Sequence, residues 1–451
     1  MSQLRVTLLS SKKFKLVSLF LMMLVLLVSC AGPSTQTSEA PAASNTQPSA
    51  AEAPKSAITE TNASQPVTIE LWDYLSPDKI EAWWQTFIAD YQNTHPGVTI
   101  NRIPYAEKDY DNALRTAIAA GQPPDILYLI TGMNLYDYAE SGTIIPIDGL
   151  VDTSIYTPGL ITSLSHNGAV YAVPRSVEPT LFWYNVKLFE ENNVNPPKTW
   201  DELLSMCDTF NKAKIIPISL AGIERWQASM FYQPLVYQTG GYDLIDKAGR
   251  GEVSWTDPAF IKAGDYLVQM ADRGCFPSNL VGMDYTAGFQ AFVNGDAAAE
   301  VMGSWIVQGV RDAAAPDFDL SAFLLPIVPD ALPSTEVNME LGVAAFAITA
   351  NSKHSDVAAD FLNVWGENSK SYSEAGFLPV VPGATVQDPA SKVAIELMGG
   401  TKVTYTWADR RLPGALMEDY LNNLTAMLIK QITPLEFGQK MDEAVKSKVT
   451  P

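Results

Sequence analysis

The sequence predicts an α/β protein with more than one packing unit. Three observations carry this. The chain has 451 residues, beyond the about 250–300 at which a single core stops growing. Residues 67–130 alternate extended and helical patterns, the order that builds a parallel sheet with right-handed crossovers. Far downstream, residues 292–305 (FVNGDAAAEVMGSW) pass from a short apolar strand to a new helical run. Open α/β sheets place ligands just beyond such strand ends.

The elements follow in order. Residues 67–72 (VTIELW) alternate and read as a strand. Ser76 is expected to cap a helix with Pro77 at its first position. That helix runs to about residue 93 and buries Ile80, Trp84, Phe87, Ile88 and Tyr91, with Trp83 and Trp84 assigned to packing. His95-Pro96-Gly97 breaks it before a strand at 98–100. A helix over 110–120 ends at Gly121-Gln122-Pro123-Pro124, and 125–130 is an apolar strand. Residues 168–185, interrupted by Pro174 and Pro179, read as a crossing between lobes. Thr199 with Glu202 three positions later is a capping box. A strand at 215–220 is followed by helices at 227–239, 258–273 and 286–292. The strand 297–302 and helix 306–315 come next, then strands at 322–328 and 342–348. The C-terminal part is mostly helical, at 355–365, 389–398, 417–431 and 434–445.

The first 66 residues differ from the rest. Arg5, Lys12, Lys13 and Lys15 precede an apolar run at 16–28, the order of an export signal. The run is short for the about 20 residues of a membrane span. Residues 30–66 carry no aromatic residue and only one branched aliphatic, Ile58, so they read as a flexible tether. Losing the leader's four basic residues and no acidic one takes the formal charge from −20 to −24. Such acidity excludes electrostatic binding to nucleic acid. Three histidines and three cysteines are too scattered for a structural zinc site, and no cofactor is expected. Cys207 and Cys275 are left either as a disulfide or as buried free thiols, since spacing cannot settle geometry.

Candidate site residues follow from position and chemistry. Gly303-Ser304 ends a strand, and Trp305 presents a flat face at that edge. Trp72 and Tyr74 end the first strand. They are expected on opposite sides, with Tyr74 at the cleft. Trp226 precedes its helix and is a cleft candidate. Tyr184 is assigned to the core and Asp125 to a structural role. Tyr405, Trp407, Arg410 and Arg411 form a polar-aromatic loop, read either as a solvated loop or as a cleft edge with Arg411 at the ligand.

The stretches VTIELWDY, GQPPDILYL, YAVP, LFWYN, PPKTWDEL, AFVNGDAAAEVMGSW, GVAAFAITANSKHSDVAADFL and GFLPV fall in an order that resembles extracellular solute-binding proteins of the sugar-transporter type. The likeness covers nearly all of residue 67 onward. It implies the two-lobed, maltose-binding-protein-like periplasmic-binding-protein fold, with hinge strands and a sugar or oligosaccharide between the lobes. It also implies an ABC permease with a cytoplasmic ATPase as partner, and a monomer. Carried over, Trp305 matches a sugar-stacking tryptophan and Glu178 an acidic hinge residue. Glu224 and Trp226 match a glutamate–aromatic pair, and Phe377 the cleft loop of GFLP. Leu129, Gly132 and Met133 depart from the family's first-lobe pattern, which speaks against maltose itself. The ending LVSC resembles a lipoprotein signal, which implies lipid on Cys30 and an extracytoplasmic, membrane-anchored protein.

The division expected is a signal peptide at 1–29 and a tether at 30–66. One lobe takes 67–180 with 320–368, and the second takes 181–319 with 369–451. Two other functions fit parts of the sequence. A surface glycoside hydrolase would use Glu178 and Glu224 as its two carboxylates. A sugar sensor or adhesin would use the same scaffold without transport.

Overall fold

The computed structural model describes residues 66–333, 338–401 and 403–449. The leader, Cys30 and the tether lie outside the described residues. The first strand, β1 (Val67–Tyr74), pairs in parallel with β2 (Val98–Tyr105) and β3 (Ile126–Ile130). The helices Asp78–Thr94 and Glu107–Ala119 supply the crossovers. The chain then runs through β4 (Val173–Pro179) straight into β5 (Leu181–Asn185), but these two strands belong to different sheets. Thr180 is therefore the first crossing between lobes.

The second sheet contains β6 (Ile216–Ser219), β7 (Ala297–Met302) and β8 (Leu320–Phe323). Its order is β8-β5-β7-β6, with β6 parallel to β7. The chain returns to the first sheet through β9 (Asn338–Ile348), which is antiparallel to both β3 and β4. β10 (Val403–Tyr405) pairs in parallel with the start of β9. Thr180, the run into β9 and the exit from β10 to the helices packed on Trp226–Gly240 thus pass between the lobes.

β8 runs antiparallel to β5, Phe323 opposite Phe182, so residues 320–323 belong with the second sheet rather than with the first lobe, where the division above put them. β10 likewise joins the first sheet. Edge strands of this length carry too few residues for their side-chain pattern to declare a partner.

Each sheet has its own apolar core. In the first lobe Trp84 stacks on Trp365 (centroids 5.2 Å apart), and Phe87, Phe346 and Tyr372 close around them. In the second lobe the buried helix Trp226–Gly240 packs against Pro258–Asp272 and β7. The helix Trp200–Ala213 starts with the Thr199–Glu202 capping box, both halves formed. Cys207 on that helix is bonded to Cys275, with Cα atoms 5.0 Å apart and 68 residues of separation. Closing a loop of that size is worth up to about 4 kcal/mol through the unfolded state.

One expected cap is absent. Ser76 does not cap the first helix, which begins at Asp78 after Pro77. Its backbone N–H donates to Glu81 Oε1 (2.7 Å), and its hydroxyl accepts from Arg175. The hydroxyl is recruited by a buried cation instead of by the helix.

Candidate functional site

A cavity of ≈ 480 Å³ lies between the lobes and is lined from both sheets. From the first lobe come Tyr74, Glu107, Tyr128, Arg175, Glu178 and Phe377. The second lobe and the loop after β10 add Trp226, Tyr285, Trp305, Trp407, Asp409 and Arg410.

Strand alternation explains the first-lobe wall, with one correction. Residues two apart on a strand share a face, so Trp72 and Tyr74 are both half-exposed while Leu71 and Asp73, which alternate with them, are buried. The expected opposition of Trp72 and Tyr74 is wrong. They separate along the strand instead. Trp72 packs against Tyr105, the rings tilted by 49°, and donates to Glu70 at 2.6 Å, whereas Tyr74 at the strand end reaches the cavity. Tyr74 rests on Tyr110 and Tyr128, with centroids 5.0 and 4.5 Å away.

Behind Tyr74 sits a buried charge network. Arg102 Nε lies 2.9 Å from Asp73 Oδ1, and its other nitrogens reach Glu81 at 2.6 and 3.0 Å. Burial pushes the Asp73 carboxyl up to about 6, with Arg102 and Arg175 pulling it back. The Arg175 guanidinium packs on the Phe377 ring at 4.8 Å and donates to Ser76 Oγ at 2.9 Å. Its Nε has no hydrogen-bond partner among the described residues.

Glu178 joins the lobes. Its Oε1 accepts from Ser176 at 2.5 Å and its Oε2 from Ser304 at 2.9 Å. Burial raises its pKa to about 7 against those hydrogen bonds and the nearby Arg175. Glu107, in the first turn of its helix, is also pushed up to about 7 by the surrounding protein, although its surface is open to cleft solvent.

The second-lobe wall consists of aromatic plates. Trp305 stands 6.4 Å from Trp226 and 5.7 Å from Trp407, in both cases edge to face. Tyr285 lies 6.0 Å beyond Trp226. Two glycines make room. A Cβ on Gly303 would come within 1.9 Å of the Trp305 ring, and one on Gly342 within 2.1 Å of the Trp407 ring. The Trp407 indole N–H donates to Thr180 Oγ1 at 2.8 Å, which ties this plate to the first crossing.

Residues 76–369 match the family of bacterial extracellular solute-binding proteins. The chain belongs to that family. The binding protein is 24% identical over 306 residues to the multiple sugar-binding protein of Streptococcus mutans, covering 66% of this chain and 70% of that one. It is 25% identical over 332 residues to the maltotriose-binding protein of Pyrococcus abyssi, covering 72% and 68%. An ABC transporter extracellular-binding protein of Pyrococcus horikoshii is 25% identical over 260 residues, a match spanning 56% of this chain and 61% of that one. These relatives are substrate-binding proteins. The two-lobed fold is shared with a solved chitin oligosaccharide binding protein at a TM-score of 0.78 and 21% identity, covering 85% of this chain and 99% of that one.

Of the residues singled out in the binding protein, Trp305, Trp226, Glu178, Tyr74 and Phe377 line the cavity. Ser304 is buried just behind it, its hydroxyl facing Glu178 and the Val177 carbonyl. Glu224 is not on the wall. Its carboxylate accepts from the backbone N–H of Tyr285 at 2.9 Å and so fixes the start of the helix Tyr285–Val293. Glu178 thus lines the cavity, whereas Glu224 is engaged with the Tyr285 backbone.

Arg411 is also off the wall, paired with Asp246 and donating to the Tyr242 carbonyl at 2.9 Å. Its neighbour Arg410 takes the cavity position, with Nε 3.6 Å from Asp409 Oδ2 and Nη1 3.9 Å from Asp111. In the one-turn helix Ala408–Arg411, successive side chains point about 100° apart. Sequence reasoning passed over Arg175, Glu107, Tyr128 and Tyr285. For Arg175 a signal existed, as a charged residue inside an extended run that buries every position.

Proposed function

We propose that this protein captures a sugar or oligosaccharide between its lobes and delivers it to an ABC permease driven by a cytoplasmic ATPase. It works outside the cytoplasm as a monomer, held to the membrane by lipid on Cys30. Trp305, Trp226, Tyr74, Glu178 and Phe377 contact the ligand, with Ser304 orienting Glu178. The observation that carries this reading is the cavity itself, where aromatic rings from both lobes stand among carboxyl and guanidinium groups. Plates cover the C–H faces of a sugar ring, and the polar groups fix its hydroxyls. The names of the relatives support the same ligand class.

The lobes close on the ligand, because a cleft lined from both sides gains its full contacts only when shut. A thermal-shift screen over oligosaccharides, followed by calorimetry and product analysis, tests the reading. The expected result is a melting temperature raised by at least one sugar, which is recovered intact. A panel without any stabilising sugar, or a bound sugar that is cleaved, would overturn it. Labelled fatty acid should enter the wild-type protein and not Cys30→Ala, and equal labelling of both would remove the anchor.

A further inference from the structure

A second cavity, of ≈ 380 Å³, sits among the crossings between the lobes. Thr180 from the first crossing, residues 324–327 and Glu340 from the second, and Tyr405 from the third all line it. Its remaining walls are largely apolar, with Phe182, Met230 and Phe323 prominent. Met230 also lines the interlobe cleft, so the two cavities share a wall.

Glu340 stands out in these surroundings. It is 2% exposed, and neither carboxyl oxygen has a hydrogen-bond partner among the described residues. A carboxyl in an apolar site without such a partner is costly and rare. The Thr180 hydroxyl on the same wall accepts from Trp407 and turns its own O–H toward the carboxyl without reaching hydrogen-bond geometry. The charged groups around Glu340 do not neutralise it. Arg411 is committed to Asp246 and the Tyr242 carbonyl, Asp409 is a second acid, and Lys198 is exposed on the wall.

We propose that this hinge cavity is a second ligand site, which takes a small primary amine with its ammonium against Glu340 and its hydrocarbon body against Phe182, Phe323 and Met230. An ammonium supplies three donors to the two free carboxyl oxygens. The aromatic faces add attraction for a cation. Burial, reinforced by Asp409 and opposed by Thr180 and Arg411, holds the empty-site carboxyl well above its usual range. Binding an ammonium ion therefore releases the Glu340 proton to solvent.

Calorimetry with n-hexylammonium and its neutral counterpart hexan-1-ol tests this on the mature protein. The wild type should bind the amine about tenfold or more tighter than the alcohol, an ion-pair difference of one decade. Titration in two buffers of different ionisation heat should show about one proton released. Glu340→Gln should lose the preference and keep the alcohol affinity, while Trp305→Ala should change neither. Equal binding of amine and alcohol, no amine binding, amine binding without proton release, amine binding retained in Glu340→Gln, or amine binding lost in Trp305→Ala would each overturn the site. The wild-type comparison and the proton count decide the matter even if Glu340→Gln does not fold. None of these results bears on sugar capture in the cleft, which is measured separately.

Discussion

Tyr74 and Trp305 face the same cavity from opposite sheets and are held there by different forces. Tyr74 ends a strand whose preceding residue, Asp73, is locked to Arg102 in the core. Trp305 stands in a corner of other aromatic rings, over a glycine that leaves room for it. On the first wall, charge fixes position, so damage should spread into stability. On the second, shape fixes position, so damage should stay with the ligand. The strand beneath Trp305 does carry a charge-bearing residue, Glu300, but it is fully buried and without a partner among the described residues.

The largest expected effect breaks the first wall. Arg102→Ala removes the partner of both Asp73 and Glu81 and leaves a buried carboxylate uncompensated. Urea unfolding should show a loss of about 3–5 kcal/mol. A loss under about 1 kcal/mol would mean that charge does not hold this wall.

The next effect concerns the buried acid beneath the second wall. Burial raises Glu300 from the ordinary 4.5 to about 8. A raised carboxyl stabilises the fold fully below its unfolded value, and that contribution is lost as pH rises through the folded value. Relative to Glu300→Gln, the wild type should therefore lose stability between pH 4.5 and about 8. The difference should be on the order of a few kcal/mol. Parallel stability curves for the two proteins would contradict a buried protonated acid on this wall.

A smaller effect sharpens the boundary of the site. Arg410→Ala should weaken sugar binding about tenfold, as expected for one lost charged hydrogen-bond donor. Arg411→Ala should leave the affinity within about twofold, because its partners lie off the cavity. The reverse ranking, read by calorimetry, would move the cleft edge by one residue.

This pair also shows what the sequence could and could not convey. Strand ends and a strand-to-helix switch are local signals, and they led to Tyr74, Trp305 and Trp226. Glu178 and Phe377 came from the family resemblance, and both line the cavity. The phase of a single helical turn is not a local signal, so Arg411 was chosen over Arg410. Nor could a pattern of spacing show that Trp407 would reach Thr180, 227 residues away. The parallel core of the first lobe was legible because its helices and strands are long and periodic. Of the edge strands, β8 was read two residues late and too long, at 322–328, and the three-residue β10 was not read. Around Arg175 the prolines at 174 and 179 mark a crossing, a pattern that does not show a cation buried inside it.

The central claim is that Trp305 is a ligand-binding plate rather than a structural tryptophan. Calorimetric sugar binding and urea unfolding on the same Trp305→Ala protein test it most directly. A plate at the centre of a desolvated site is worth about 2–4 kcal/mol of binding, whereas a core tryptophan cut to alanine costs about 3–5 kcal/mol of stability. The expected result is a binding loss of that size with a stability loss of less than about 2 kcal/mol, since the ring is only half-buried. A stability loss of core size, with wild-type affinity in the folded fraction, would contradict it and move the ligand elsewhere in the cleft.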